Sequence, residues 1–289
     1  MDHALLRAFV AVAEAQSFSL AAQSLHLTQP AISKRIASLE AELEQRLFDR
    51  VGHDVYLTPA GKTLLPRAQQ LLLDMQDTAT AIRNLSGRVE GVLRIATSHH
   101  IGLRRLPRIL REFTLRYPQV TLEFDFLDSE QAFHEVGQGQ RELAIITLPG
   151  TSSESVEAIP IWRERLLPCV HREHPLAKLN RVSIEQLASH RAVLLGGHTF
   201  TQQRVNTQLA SLGLELGETT SSTYLEAIAM LVTAGQGWAL LPDIMITDDL
   251  KALKLQPMIQ VERALGVVHH RNRSLSNAAK AMIEMLTSS

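Results

Sequence analysis

The chain has 289 residues, 45% of them hydrophobic, and a formal net charge of −1. That length and apolar content support two or three domains with real cores and exclude a disordered chain, and the charge excludes a protein that coats nucleic acid through bulk positive charge. A single cysteine, Cys169, excludes an intrachain disulfide and fits a reducing cytoplasm; Met1-Asp2-His3-Ala4 has no signal-peptide character; and Glu226, Gln236 and Asp243 interrupt the best membrane stretch at 224–246, so no membrane partner is expected.

Residues 2–16 form an amphipathic helix with Leu5, Leu6, Phe9, Val12 and Ala13 inward. A short helix over 19–25 follows, with small Ala21 and Ala22 where two helices must approach closely, and then a turn at His26-Leu27. Thr28 can cap the next helix, and Pro30 sits in its first turn, where a missing N–H costs nothing. Ile32, Ile36, Leu39 and Leu43 make its buried face, while Pro30, Ser33, Lys34, Ala37 and Ser38 occupy the opposite one. Low bulk, hydrogen-bonding groups near the N-terminus and adjacent cations suit entry into a DNA major groove. On periodicity alone, a helical hairpin in an enzyme or scaffold reads equally well.

Gly52 and the alternation at Val55 and Leu57 predict a small hairpin, with Asp54 acidic at its tip. A long helix then runs from Pro59 to about 85. Ala68, Leu71, Met75, Thr78, Ile82 and Leu85 recur on it at coiled-coil spacing and predict a dimer seam. Residues 86–91 form a hinge. Residues 1–90 carry nine Lys and Arg against ten Asp and Glu, so any nucleic-acid footprint is local.

From Val92 the pattern alternates: strand 92–96, helix 103–117, strand 120–126, helix 129–138 and strand 143–147, a parallel βαβαβ unit. A second set follows: strand 166–171, helix 184–188, strand 192–195, helix 202–212, strand 219–221, helix 225–234 and strand 238–241. Residues 264–269 form a strand returning to the first subdomain, and helix 275–286 closes the chain. Two such lobes make a cleft at the carboxyl ends of their strands. Thr97-Ser98-His99-His100 lies at one strand-to-helix junction, where hydroxyls, backbone N–H groups and a helix end favour an anion, although Ser98 could simply cap the helix. Thr147 ends a strand on the same side, Thr199 and Phe200 occupy the mirror-image junction, and His269 lies near the crossover.

Cys169, His171 and His174 invite a metal reading, but no fourth ligand is identifiable, so no metal and no cofactor are expected. Redox sensing through Cys169 has no second cysteine to resolve it. No Gly-x-Ser-x-Gly elbow, P-loop, Rossmann glycine set or His-Glu-x-x-His occurs, so no catalytic residues are assigned.

Leu6, Phe9, Phe18, Ala21-Ala22, Leu25, Thr28-Gln29-Pro30-Ala31-Ile32-Ser33, Ile36, Leu39-Glu40, Leu43, Leu47-Phe48-Asp49-Arg50 and Leu57-Thr58-Pro59-Ala60-Gly61 together resemble the N-terminal domain of LysR-type transcriptional regulators. The match is gapless over roughly the first 65 residues. Phe113 to Pro118, His174-Pro175-Leu176-Ala177, Gly235-Gln236-Gly237-Trp238 and Leu241-Pro242 agree with it in layout.

The resemblance implies an α plus α/β protein: a winged helix-turn-helix at 1–58, a dimerising linker helix at 59–88, and a two-lobed effector domain at 89–289 resembling periplasmic binding proteins. Its lobes would be 91–161 with 268–289, and 162–267. Gln29 and Ser33 would read base edges, Pro30 and Ala31 would give apolar contact, and Lys34, Arg35, Arg50, His53 and Thr58 would hold phosphates. Asp54 departs from the usually basic wing. Thr97, Ser98, His99, His100, Thr147, Thr199, Phe200 and His269 would face a small anionic effector. The expected partners are dyad-symmetric double-stranded promoter DNA, a second copy in a homodimer or homotetramer, and RNA polymerase. An enzyme with a fused DNA-binding domain, acting on a small anionic substrate, is the alternative.

Overall fold

The computed structural model describes residues 1–51, 54–213, 216–258 and 261–288, with only the backbone of Arg50 and Val51. Two compact units, 1–86 and 87–289, make up the chain.

The first unit begins with α1 (His3–Ala15), α2 (Phe18–Ser24) and α3 (Gln29–Leu43). Each starts at a polar cap, because the first N–H groups of a helix need an acceptor: Asp2, Ser17 and Thr28 accept from Leu5, Leu20 and Ala31. Phe9, Val12, Ala21, Ile32 and Leu39 close one core with Leu47 and Phe48. Strands β1 (Phe48–Val51) and β2 (Asp54–Leu57) pair antiparallel, as a wing requires. Glu40 of α3 pins this hairpin by accepting from the backbone N–H groups of Leu47 and Phe48.

Helix α4 (Pro59–Asn84) completes the unit. Gly61 is required in its first turn, since a Cβ there would overlap the Leu47 carbonyl oxygen. Two expectations change here. Ala68 is buried in the chain's own core, against which a small side chain lets α4 pack closely, so it is unavailable to a partner helix. Leu85 is the C-cap residue beyond the helix rather than part of it. The outer face retains Leu71, Met75, Ile82 and Leu85, which are 43, 51, 64 and 86% exposed, together with exposed Thr78.

The second unit follows in order: β3 (Gly91–Thr97), α5 (His99–Arg104), α6 (Leu106–Arg116), β4 (Val120–Phe126), α7 (Ser129–Gly137), β5 (Leu143–Thr147) and β6 (Val156–His171). Then come β7 (Val182–Ser183), α8 (Ile184–Ala188), β8 (Ala192–Leu195), α9 (Phe200–Ser211), β9 (Thr219–Ser222), α10 (Leu225–Thr233), β10 (Trp238–Pro242), β11 (Leu250–Ala252), β12 (Leu255–Gln256), β13 (Val261–His270) and α11 (Asn277–Thr287). The single helix expected at 103–117 is two, because Pro107 in the first turn of α6 has no N–H to continue the ladder from α5.

One mixed sheet runs β4-β3-β5-β13-β6-β10-β8-β9, with β11 also on β6. Strands β3, β4 and β5 are parallel, as are β8, β9 and β10. The long antiparallel pair β6 and β13 joins the two parallel groups. Apolar clusters cover each group: Leu93, Phe113, Ile145 and Met282 on one, Leu166, Val205, Trp238 and Leu240 on the other.

Both joining strands are longer than expected. The sequence pattern places their starts at Leu166 and Ala264, immediately after the charged runs Arg163-Glu164-Arg165 and Glu262-Arg263. Charged residues are depleted in buried strands unless paired, and here the buried ones, Arg263 and Glu164, form an ion pair across the ladder, while Arg165 and Glu262 are exposed. A bulge between Leu265 and Gly266 bends β13 where the strands cross. A Cβ at Gly266 would strike the Ile159 carbonyl oxygen.

Candidate functional site

Two faces carry polar chemistry. In the first unit, Thr28, Gln29, Pro30 and Lys34 are exposed at the start of α3, and Ala31, Ser33 and Arg35 are half-buried beside them. Gln29 donates to the Ser33 hydroxyl at 2.9 Å, so both present amide and hydroxyl groups from one surface. Thr58 does not join them. It is buried; its hydroxyl donates to the Arg46 carbonyl at 2.6 Å and accepts from the Gly61 N–H at 3.0 Å, so it caps α4 and has no reach to a phosphate. His53 and the Arg50 side chain lie outside the described residues.

In the second unit, the carboxyl ends of β3, β4, β5, β8 and β9 converge on a cavity of about 60 Å³. Ser98, His99 and His100 reach it from the β3–α5 junction, Ser129 from the start of α7 and Thr147 from the end of β5. Thr199 reaches it from the start of α9, and Tyr224 and Glu226 from the start of α10. Ser98 occupies the cap position of α5 but makes no capping hydrogen bond, so capping does not account for it. Ser129 accepts from the Thr147 backbone N–H, leaving its own hydroxyl proton to donate. The His99 ring packs against Phe126 and Tyr224, with centroids 4.8 and 4.6 Å away.

Three expected members lie elsewhere. Thr97 is fully buried and donates to the Ile145 carbonyl at 2.7 Å, bracing β3 on β5. The Phe200 ring packs on Phe133 outside the cavity, while its backbone N–H donates to Glu130. His269 pairs with Leu143 at the entry end of β5, whereas the cavity opens at Thr147, opposite Leu265. An antiparallel strand carries its later residues away from the ends of its parallel neighbours.

An ionic network that the sequence did not reveal reaches the cavity through His100 and Arg263. Glu164 accepts from Arg263 at 2.9 and 2.6 Å, from Arg105 at 2.9 Å and from His100 Nε2 at 3.0 Å. Arg263 also donates to the Thr201 hydroxyl at 2.9 Å. Burial pushes the Glu164 carboxyl up, but the His100 hydrogen bond and the Arg263 charge outweigh it and hold it at about 2. Burial lowers the Arg263 guanidinium, against the Glu164 charge. The available signal was two charged runs inside otherwise strand-like sequence; nothing local shows that they face one another.

Cys169 is buried in β6, and burial pushes its thiol up to about 12. The His174 ring nitrogen accepts from the Leu176 N–H, forming the local turn.

Residues 3–62 match the family described as bacterial regulatory helix-turn-helix protein, lysR family, and residues 86–289 match the LysR substrate binding domain. The chain belongs to the LysR family of bacterial transcriptional regulators. It shares 30% identity over 291 residues, 96% of this chain and 85% of the relative, with a probable RuBisCO transcriptional regulator of Nostoc sp.. Among solved structures it resembles full-length CbnR complexed with its target DNA, at 22% identity and a TM-score of 0.62, covering 100% of this chain and 99% of the other. It also resembles the effector binding domain of QuiR in complex with shikimate, at 17% identity and a TM-score of 0.62, covering 69% of this chain and 96% of the other. This LysR-family chain is thus a regulator and not an enzyme. Among its described residues no helix is long and apolar enough to cross a membrane.

Proposed function

We propose that this LysR-family regulator reads dyad-symmetric promoter DNA with α3 and responds to a small molecule in the cavity of its second unit. The observation that carries the reading is the exposed, low-bulk N-terminal face of α3, where Gln29 and Ser33 offer hydrogen bonds and Lys34 offers charge. Gln29 and Ser33 contact base edges, Pro30 and Ala31 contact apolar base groups, and Lys34, Arg35, Arg50 and His53 neutralise phosphates. Leu71, Met75, Thr78, Ile82 and Leu85 pair with a second copy in a cytoplasmic dimer or tetramer that can meet RNA polymerase. The relative CbnR, solved with its target DNA, supports the first half.

The effector carries an anionic group. Ser98 has no capping bond, and Ser129 and Thr201 already accept from Thr147 and Arg263, so all three hydroxyls are placed to donate. QuiR, solved with shikimate, supports this half.

Replacing Ser33 with Glu puts bulk and negative charge against the bases and should abolish sequence-specific promoter binding, measured by gel shift, while circular dichroism stays unchanged. Specific binding that survives in Ser33→Glu rejects the recognition assignment.

A further inference from the structure

The cavity holds a buried carboxylate with no hydrogen-bonded donor. Both carboxylate oxygens of Glu226 are buried and have no hydrogen-bond partner among the described residues. The nearest polar neighbour is His100 Nδ1, 3.8 Å from Oε1, which is too far for a hydrogen bond. His100 is 4% exposed, and its Nδ1 is also unpartnered.

On the other side of the ring, Nε2 lies 3.0 Å from Glu164 Oε1 and donates to that carboxylate. His100, against the cost of burial, keeps the Glu226 carboxyl below its ordinary range, and an ionised carboxylate can only accept. Unpaired buried acceptors of this kind are costly, and native proteins leave few of them.

We propose that the cavity takes a small ligand bearing a protonated amine, which donates to the Glu226 carboxylate. An ammonium has three N–H donors and can serve both carboxylate oxygens at once; a hydroxyl has one. This rests on the reading of the cavity as the effector site and deepens it. With an anionic group at Ser98, Ser129 and Thr201, the ligand class is a small zwitterion. The sequence had pointed only to the anionic end, because Glu226 reads there as an ordinary first-turn acid on α10.

Isothermal titration of the full chain with a set of common L-amino acids and their matched 2-hydroxy acids, such as alanine with lactate and aspartate with malate, tests the proposal. At least one amino acid should bind, and its hydroxy counterpart should bind at least about tenfold more weakly. Glu226→Gln should erase that preference, and Glu226→Asp, which keeps the charge, should retain part of it. Hydroxy acids that bind equally well, a preference that survives Glu226→Gln, or binding of no amino acid would each overturn the proposal. An amino acid that binds but leaves promoter affinity unchanged would fail the effector reading and leave the amine assignment standing.

Discussion

Arg263 sits directly opposite Glu164 in the antiparallel ladder of β13 and β6, and the two side chains meet through hydrogen bonds of 2.9 and 2.6 Å. The pair lies where the two long strands join the halves of the sheet, and Arg263 itself lines the cavity. Burying either charge alone is strongly unfavourable, so each holds the other in place. Arg263→Met should therefore cost about 3–5 kcal/mol in urea unfolding, because Glu164 loses its main partner. The double variant Glu164→Leu with Arg263→Met removes both charges and should recover much of that loss. A double variant no better than the single one would mean that packing, not charge pairing, sets the cost.

The same carboxylate makes stability depend on pH. Its folded value of about 2 lies below the ordinary 4.5, so folding favours the ionised form. The stabilisation is whole above about pH 4.5 and drains as pH falls toward 2. Glu164→Gln has no such term. The stability gap between wild type and Glu164→Gln should therefore narrow by about 2 kcal/mol between pH 6 and pH 3. A constant gap would show that Glu164 is not held ionised by its partners.

Thr58 separates a structural role from a DNA contact. Its hydroxyl bridges Arg46 and Gly61 inside the fold. Thr58→Val should lower the unfolding free energy by about 1–2 kcal/mol through the lost cap. The slope of log K for DNA against log salt should not change. A slope shallower by about one would restore the phosphate contact.

The outer face of α4 tests self-association. Leu71 and Met75 are large, apolar and about half exposed. Charging both, as Leu71→Glu with Met75→Glu, should convert the assembly to monomers by light scattering and weaken promoter binding with it. An unchanged mass would remove α4 from the interface.

Local chemistry accounts for what was legible in the chain. Caps at Asp2, Ser17 and Thr28, the 3.6-residue period of Ile32, Ile36 and Leu39, and the glycine at 61 each act within a turn or two of themselves. The three N-terminal helices, the small hairpin and the alternation of strands and helices followed from such signals, as did the junctions at Ser98, Thr147 and Thr199; the winged helix-turn-helix came from the family resemblance. Tertiary structure alone decided which residues look inward at those junctions. Thr97 and Thr58 turned out to be braces, Ala68 a core residue, and His269 a residue at the far end of its strand. It also assembled Glu164, Arg263, His100 and Arg105, drawn from positions up to 163 residues apart. In sequence those charges argued against buried strands; only the pairing of β6 with β13 supplies the opposite charge that makes their burial tolerable.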